Sequence, residues 1–124
     1  MVDMICGIGI DSVEIARVAR VCQRPGSRFA VKMFTALELE RSARRIQVPF
    51  EHLAACFAAR EAFFKATQVR YRRQEVSVAQ KPSGEPYYVL SERAQRELDG
   101  RRVHLSMTHD RERAIAVCIC EQAP

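Results

Sequence analysis

Residues 53–66, LAACFAAREAFFKA, constrain this chain most, because they predict a helix made largely of alanine and phenylalanine that nevertheless carries Glu61 and Lys65. At 100° per residue the apolar side chains cover almost the whole circumference, and Glu61 and Lys65 lie one turn apart on one side. A helix that is apolar all round is typical of a protein core. The charges then have two open interpretations. They form a modest i,i+4 ion pair on an exposed face, or they are buried charges that pair with other groups or bind a metal.

Length and composition indicate one small globular domain over residues 1–124. The chain has 48% hydrophobic and 28% charged residues, and no apolar run approaches the length of a membrane span. The N-terminus lacks the basic and small-residue pattern of a signal peptide. The five cysteines form no CxxC pair, and Cys118 and Cys120 alternate in an apolar run like small core residues. We therefore expect a reduced, cytoplasmic protein that does not enter a membrane.

The net charge of +5 comes mainly from arginine. The planar guanidinium group binds phosphate and carboxylate groups with two hydrogen bonds, so an acidic partner is expected. The candidates are a nucleic acid, a nucleotide or an acidic protein, and a solvated basic face is the alternative for each cluster. A nucleic-acid-binding module is disfavoured because the chain has no recognisable nucleic-acid-binding motif.

Local patterns predict ten elements in the order β-α-α-α-α-β-β-α-β-β. Asp11 or Ser12 is expected to cap the first helix, with Glu14 completing a capping box, and Thr35 with Glu38 repeats that pattern. Strands are predicted over 4–10, 76–78, 87–90, 103–106 and 114–120. The first predicted helix follows the first strand and ends at about 23, and the other helices cover 27–33, 35 to about 45, 49–66 and 91–99. This order predicts an α+β fold with a small antiparallel sheet packed against helices. Three or four short strands would leave a thin core, which oligomerisation would help to stabilise.

Four segments, in order and at consistent distances, carry a family resemblance. They are GIGIDSVEIARV from Gly7, Arg28-Phe29 with Phe34-Thr35 and Glu38, FAAREAFFKA from Phe57, and Gly84-Glu-Pro86-Tyr with VHLSMTH ending at His109. Together they resemble the holo-acyl-carrier-protein synthase family of 4′-phosphopantetheinyl transferases, nearly end to end. The resemblance implies the fold of that family. It also implies transfer of the 4′-phosphopantetheine arm of coenzyme A to a serine of apo-acyl-carrier protein, as in fatty acid biosynthesis, with release of adenosine 3′,5′-bisphosphate.

The resemblance also implies a magnesium site. Asp11 and Glu61 match the metal carboxylates of the family, and Mg²⁺ binds few protein carboxylates while keeping several waters. Lys65 would reach the same phosphates and offset charge on the leaving group. Asp11, Glu61 and Lys65 are therefore the expected catalytic residues. Either a metal-bound water or Asp11 accepts the serine proton, and the sequence leaves both open.

Further residues match substrate-binding positions of the family. Lys65, His109 and Arg60 are expected to contact coenzyme A, with Arg60 standing where relatives usually have lysine; for His109 the alternative is a turn histidine at a strand end. Arg17, with Arg20 and Arg24 about one turn apart, is expected to meet the acidic carrier protein. The family also implies a homotrimer in which each active site lies between neighbouring subunits.

Two departures from the family pattern bear on coenzyme A binding. Cys56 stands where relatives usually have arginine. The glycine-rich loop that follows Lys-Ala in relatives is replaced by a segment without glycine that contains Arg70, Arg72 and Arg73. There are two alternatives. Either those arginines bind the phosphates in place of the backbone contacts that a glycine loop allows, or the coenzyme A site is impaired. The alternative function is therefore a catalytically impaired homologue that binds an acidic carrier protein without turnover.

Overall fold

The computed structural model describes residues 4–45, 48–72 and 74–122. Its elements follow the predicted order β-α-α-α-α-β-β-α-β-β. They are β1 (Met4–Glu14), α1 (Ile15–Gln23), α2 (Phe29–Met33), α3 (Ala36–Ala43), α4 (Pro49–Thr67), β2 (Val76–Gln80), β3 (Pro86–Leu90), α5 (Glu92–Leu98), β4 (Arg102–His109) and β5 (Arg113–Gln122). The predicted α+β class is confirmed. In the described part of the chain, no helix is both long and apolar enough to cross a bilayer.

The strands form two antiparallel sheets. The larger has the order β1-β5-β4, and the smaller is the hairpin of β2 and β3. β1 and β5 are 11 and 10 residues long, so the principal sheet is more extensive than the short strands expected from the sequence. The inner face of β5 (Ala114, Ala116, Cys118 and Cys120) is fully buried beneath α4. The larger sheet therefore supplies one wall of the core and α4 the other.

The predicted helix cap at Asp11 or Ser12 is wrong. β1 continues through both residues to Glu14, and Asp11 pairs with Ala116 of β5. Glu14 occupies the cap position of α1 without a side-chain hydrogen bond to the helix. Local sequence favours a capping box here, but ten backbone pairs with β5 keep the segment extended. Asp11 is thus held in the middle of a paired strand.

Other helix termini follow the predicted chemistry. Thr35 and Glu38 form a complete capping box at α3, in which the Thr35 side chain accepts from the Glu38 amide and the Glu38 carboxylate accepts from the Thr35 amide. The Ser91 hydroxyl accepts from the Ala94 amide at the start of α5. Pro49 begins α4, where a missing amide hydrogen has no cost. These ends are set by the local sequence.

Two glycines of β1 allow α4 to lie directly on the strand. A Cβ atom at Gly7 would overlap the carbonyl group of Ala66, and one at Gly9 would overlap that of Ala62. Alternate strand residues share a face, so Asp11, two residues after Gly9, lies on the same side as α4. The glycine spacing therefore brings Asp11 towards the helix turn that carries Glu61.

Gly9→Ala is expected to lower the free energy of unfolding by more than about 2 kcal/mol. The added methyl group would meet the backbone of α4, which cannot rotate away as a side chain can, and overpacking of this kind typically costs about 1–3 kcal/mol. Chemical denaturation of the variant and the wild type at one protein concentration measures the change. Unaltered stability would mean that α4 can move away from β1 at no cost.

Glu38 connects three elements in the interior. Its side chain is fully buried, and its carboxylate accepts hydrogen bonds from the Arg60 guanidinium of α4, the Val78 amide of β2 at 2.8 Å and the Thr35 amide at 3.1 Å. A buried carboxylate is tolerated only when it is paired and hydrogen-bonded. The capping residue of α3 therefore also fixes α4 and the smaller sheet.

The outer face of the larger sheet is apolar and exposed. Ile8 and Ile10 of β1 are 62% and 59% exposed, and they pair with Ile119 and Val117 of β5 on the same face. Ile115 extends this patch along β5. Solitary exposed apolar side chains are ordinary, but a contiguous patch on a sheet is typical of an interface.

Candidate active site

One cavity collects the principal predicted residues. It measures about 430 Å³, and its lining includes Asp11 from β1, Arg17 from α1 and Glu61 from α4. Phe29 and Phe57 supply an apolar wall. Asp11 and Glu61 are fifty residues apart in the chain, and they line the same space because the glycines of β1 let α4 lie against the strand. The cavity therefore combines the carboxylates of Asp11 and Glu61, with Glu14 also in its lining, and has the exposed Arg17 at its rim.

Lys65 extends from α4 to β1. Its Nζ atom donates to the Ile10 carbonyl oxygen at 2.9 Å and to Asp11 Oδ1 at 3.2 Å. Among the described residues, its ion pair is with Asp11 rather than with Glu61, one turn before it on the helix. The i,i+4 interpretation of Glu61 and Lys65 is therefore wrong. The Glu61 carboxylate, at the cavity wall, is left without that neighbour.

The donor set fits a magnesium ion. Mg²⁺ prefers oxygen ligands, takes one or two carboxylates and retains water and phosphate oxygens for its other positions. Asp11 and Glu61 supply two carboxylates, the side chain of Asp11 is 19% exposed, and the cavity has room for several waters. Among residues 4–45, 48–72 and 74–122, no group of three or more acidic, histidine or cysteine side chains is placed so that it could hold a metal ion by itself. The geometry thus fits a cation held partly by solvent or substrate, rather than a closed structural metal site.

A smaller cavity also borders Glu61. It measures about 220 Å³, shares Phe57 and Glu61 with the first, and is also bordered by Lys32 and Tyr71. Burial, together with the nearby charge of Glu61, raises the pKa of Tyr71 to about 12. Tyr71 therefore keeps its proton at neutral pH and can donate a hydrogen bond. The two cavities therefore share Glu61 and Phe57 as lining residues.

Arg60 is committed to the interior. It is 6% exposed, its Nη1 lies 2.6 Å from Glu38 Oε2, and its Nη2 donates to the Met33 carbonyl oxygen. Its charge is neutralised by Glu38, and its guanidinium group also lies over the ring of Phe34. The expectation that Arg60 binds coenzyme A therefore has no support in this geometry, although part of Arg60 borders the smaller cavity.

Cys56 does not lie in either of these cavities. It is fully buried, and its Sγ lies 3.6 Å from Nε2 of His52. Burial and the nearby Glu38 carboxylate raise the pKa of Cys56, while burial lowers the pKa of His52 to about 4. Both side chains are therefore neutral core residues. The structure gives no support to Cys56 as the site of a lost phosphate contact, and an arginine there would be buried.

His109 lies at the opposite end of α4 from the two carboxylates. Its Nδ1 is 3.5 Å from Glu51 Oε2 in the first turn of the helix, and it borders a separate cavity with Arg45 and Gln80. Glu51 and Glu61 are ten residues apart, or about 15 Å along a helix that rises 1.5 Å per residue. Within one chain, His109 therefore does not join the cavity of Asp11.

The basic residues near α1 form a shorter stripe than predicted. Arg17 and Arg20 are exposed on the helix, and Arg20 lies 3.4 Å from Glu14 in an ion pair. Arg24 follows the last helical residue in an extended conformation, so it does not continue the helical spacing. Arg17 borders the cavity of Asp11 and Glu61. Of the three predicted partner-binding residues, Arg17 is the nearest to the candidate chemistry.

The segment after α4 ends the helix without glycine. Gln68 adopts a left-handed conformation with φ of 59°, and its amide donates to the Phe64 carbonyl oxygen. The Arg70 guanidinium lies over the ring of Phe64, and Arg70 and Arg72 are exposed. Arg73, the third predicted replacement for the glycine loop, lies outside the described residues. The helix end therefore has the backbone turn that glycine favours, with an exposed guanidinium group beside it.

Arg113 is a cavity residue that sequence reasoning missed. It pairs with Glu14 across β1 and β5, donates to the Ser12 hydroxyl at 3.2 Å, and lines the cavity of Asp11. The sequence patterns assigned no role to Arg113, which directly precedes the strand predicted at 114–120. The pairing of β1 with β5, about one hundred residues apart, is what brings its charge to the site.

Comparisons with known proteins agree with this arrangement. Residues 7–118 match the 4′-phosphopantetheinyl transferase superfamily. A holo-[acyl-carrier-protein] synthase from Koribacter versatilis is 37% identical over 95% of this chain and 99% of its own. The crystal structure of such a synthase from Neisseria meningitidis superposes with a TM-score of 0.82 at 30% identity, over 94% of this chain and 98% of that one. The chain therefore belongs to the 4′-phosphopantetheinyl transferase superfamily and is a transferase enzyme of that family.

A further relative was solved with a ligand. A holo-(acyl-carrier-protein) synthase from Bacillus anthracis, crystallised in complex with coenzyme A (3′,5′-ADP), has a TM-score of 0.76 at 28% identity, over 97% of this chain and 99% of that one. The family resemblance drawn from the four sequence segments is thereby confirmed.

Proposed function

We propose that this protein transfers the 4′-phosphopantetheine arm of coenzyme A to a serine of an apo-acyl-carrier protein, with release of adenosine 3′,5′-bisphosphate. The observation that carries the proposal is the single cavity lined by Asp11, Glu61 and Arg17, beside Lys65. Its carboxylates suit a cation on a pyrophosphate, and its arginine suits an acidic protein. The names of the relatives supply the substrate class.

Each residue has a distinct part in this proposal. Asp11 and Glu61 would hold Mg²⁺, which when bound offsets the negative charge that develops on the pyrophosphate. Lys65, already directed at Asp11, supplies a second positive charge for the leaving phosphate. The serine proton passes either to Asp11 or to a water in the cavity. Phe29 and Phe57 exclude solvent from one side of the reacting groups.

Mass spectrometry of the carrier protein tests the activity directly. Purified protein is incubated with coenzyme A, MgCl₂ and an apo-carrier protein of fatty acid biosynthesis, and the carrier is weighed for the added arm. The controls are reactions from which the metal is omitted and a carrier protein whose acceptor serine is replaced by alanine. Transfer that needs both metal and serine supports the proposal.

A non-catalytic carrier-binding protein is the second candidate, favoured by the helix end at Gln68 that replaces the glycine loop. It predicts that the carrier binds in a calorimeter but gains no mass. Binding and mass measurements on the same two purified proteins therefore distinguish the two candidate functions. A cytoplasmic location for either activity stays a prediction.

The proposed assembly is a homotrimer with its sites between subunits. Two observations support it: the apolar outer face around Ile8, Ile10 and Val117, and the distance of about 15 Å along α4 that separates His109 from Glu61 in one chain. A second copy seated on the outer face buries that patch. In this arrangement His109 of one subunit serves the carboxylates of its neighbour.

Mixed assemblies are expected to restore activity that each variant lacks. Asp11→Asn and His109→Ala, expressed separately, should both be impaired. Co-expression at equal levels should return about a quarter of the wild-type sites, because a site is intact when a neighbour supplies the missing residue. The transfer rate per oligomer measures the recovered activity, and analytical ultracentrifugation gives the mass of the oligomer. Absence of complementation in a verified mixed oligomer would place the whole site in one chain.

Arg17→Glu is expected to raise the Michaelis constant for the carrier protein by roughly tenfold and to flatten its dependence on salt, because rim charges steer association. The Michaelis constant for coenzyme A should stay unchanged. Arg96→Glu on α5 makes the same charge change at an exposed position outside the cavity lining and serves as the control. Equal effects of the two variants would show that only net charge matters.

A further inference from the structure

Two thiols outside the proposed chemistry touch at the start of β1. Cys6 Sγ lies 3.3 Å from Cys120 Sγ and 3.4 Å from the Cys120 carbonyl oxygen. The register of β1 on β5 shifts between Ile5 and Gly7, which makes Cys6 the extra residue of a β-bulge. A bulge sets two residues of one strand against one residue of its partner. Cys6 and Gly7 are therefore both opposite Cys120.

The packing of α4 leaves space for this contact. Ala66 passes directly over Gly7, so the neighbour of Cys6 in the bulge has to be a residue without a side chain. Cys6 is exposed, whereas Cys120 is buried. The thiols meet on the face of the sheet that carries α4, away from the outer patch around Ile8 and Ile10. A second copy on that patch leaves the pair accessible.

The geometry suits a disulfide. Disulfides span Cα–Cα distances of about 4.4–6.8 Å, and regular antiparallel pairs such as Gly7 with Cys120 lie about 4.5–5.5 Å apart. Cys6 is the neighbour of Gly7 in the bulge, and its thiol already contacts that of Cys120. The sulfur atoms, now 3.3 Å apart, need to approach by about 1 Å to reach the bond length of about 2.05 Å. Because Cys6 lies at a bulge near the end of the strand, this movement does not break the regular pairing that follows Gly7.

The two thiols differ in reactivity. Burial, together with the hydrogen bond from Cys6, raises the pKa of Cys120 to about 11, so Cys120 is protonated in the resting protein. Burial likewise raises the pKa of Cys118 to about 11, and Cys56 is fully buried. Cys22 is half-buried. Cys6 is therefore the thiol that an oxidant in solution meets first.

We propose that Cys6 and Cys120 form a peroxide-responsive dithiol. In the first step the Cys6 thiol gives up its proton and its sulfur attacks one oxygen of hydrogen peroxide; the O–O bond breaks, Cys6 becomes a sulfenic acid, and the departing hydroxide takes up the proton to leave as water. In the second step Cys120 gives up its proton and attacks the Cys6 sulfur, which releases a second water and forms the disulfide. Two thiols are oxidised and one peroxide is reduced. The proposal does not depend on the transferase activity.

Peptide mapping tests the pairing. The full-length protein is reduced, freed of reductant, treated with one equivalent of hydrogen peroxide and alkylated. Trypsin then releases Cys6 on a peptide that ends at Arg17, and Cys120 on the peptide that follows Arg113. The expected product is these two peptides joined, with the loss of two hydrogens in mass. Oxidation of Cys6 to sulfinic acid without a link, or a link between two copies through Cys6, would overturn the proposal.

Matched variants assign the link, because Cys118 shares the tryptic peptide of Cys120. Cys118→Ser should keep the cross-link, whereas Cys120→Ser and Cys6→Ser should lose it. The bond joins residues 114 apart and restricts the unfolded chain, so oxidation should raise the midpoint of thermal unfolding by about 5 °C or more. This rise should be absent in Cys6→Ser. A rise of equal size in Cys6→Ser, or a link retained in Cys120→Ser, would assign the oxidation to other cysteines.

Discussion

Asp11→Asn and Glu61→Gln are each expected to reduce transfer by at least about 100-fold at saturating coenzyme A, because each removes one of the two carboxylates proposed to hold the cation. Both substitutions keep the shape of the side chain, so the fold should persist. Transfer rates are measured by the mass of the carrier across a magnesium series. A partial recovery at high metal concentration is the expected signature of a weakened ligand.

Glu14→Gln provides a matched control for this experiment. Glu14 lines the same cavity and carries the same charge, yet its carboxylate pairs with Arg20 at the rim. Its variant should retain the magnesium dependence of the wild type. Near-normal transfer by Asp11→Asn or Glu61→Gln at low magnesium would show that the cation is held elsewhere.

Glu38→Gln is expected to lower the free energy of unfolding by about 3–5 kcal/mol, because it leaves the buried guanidinium of Arg60 without a counter-charge. Denaturant titration at a fixed protein concentration measures the change. Glu40→Gln on the same helix removes an exposed ion pair with Arg44 and should have a much smaller effect, since exposed pairs contribute little.

A double variant separates the charge effect from the loss of packing. Glu38→Gln with Arg60→Met has no unpaired buried charge, so it should recover a large part of the lost stability. If the double variant is as unstable as the sum of the two single variants, the hydrogen bonds to Thr35 and Val78 are the dominant contribution of Glu38.

Sequence patterns predicted the elements whose signals are local. The apolar circumference of residues 53–66 indicated the buried helix α4, and Pro49 and Thr35 marked helix starts that the structure confirms. The helical spacing also placed Glu61 and Lys65 on one side of α4. Such signals depend on neighbours three or four residues away, which the sequence itself displays.

The features that were missed depend on distant partners. Asp11 followed by Glu14 has the pattern of a helix cap, and only pairing with β5 makes the segment a strand. From the sequence, Arg60 was expected to bind a phosphate of coenzyme A. In the structure its charge is neutralised by Glu38, which lies 22 residues earlier in the chain. Arg113 enters the cavity through the same long-range strand pairing. In each case tertiary contacts decided between two locally reasonable conformations or roles.

The three attachments of Glu38 have a consequence for how the molecule opens. Arg60 and Val78 are 22 and 40 residues from Glu38, and both must be in place before the carboxylate is fully satisfied in the interior. If the β2–β3 hairpin alone were released, the Glu38 carboxylate would lose the hydrogen bond from Val78 while it stayed buried in the remaining core. Partial opening at this corner is therefore costly, so the hairpin, α3 and the middle of α4 behave as one cooperative unit. The helix that carries Glu61 thereby gains rigidity from residues that never touch the substrate.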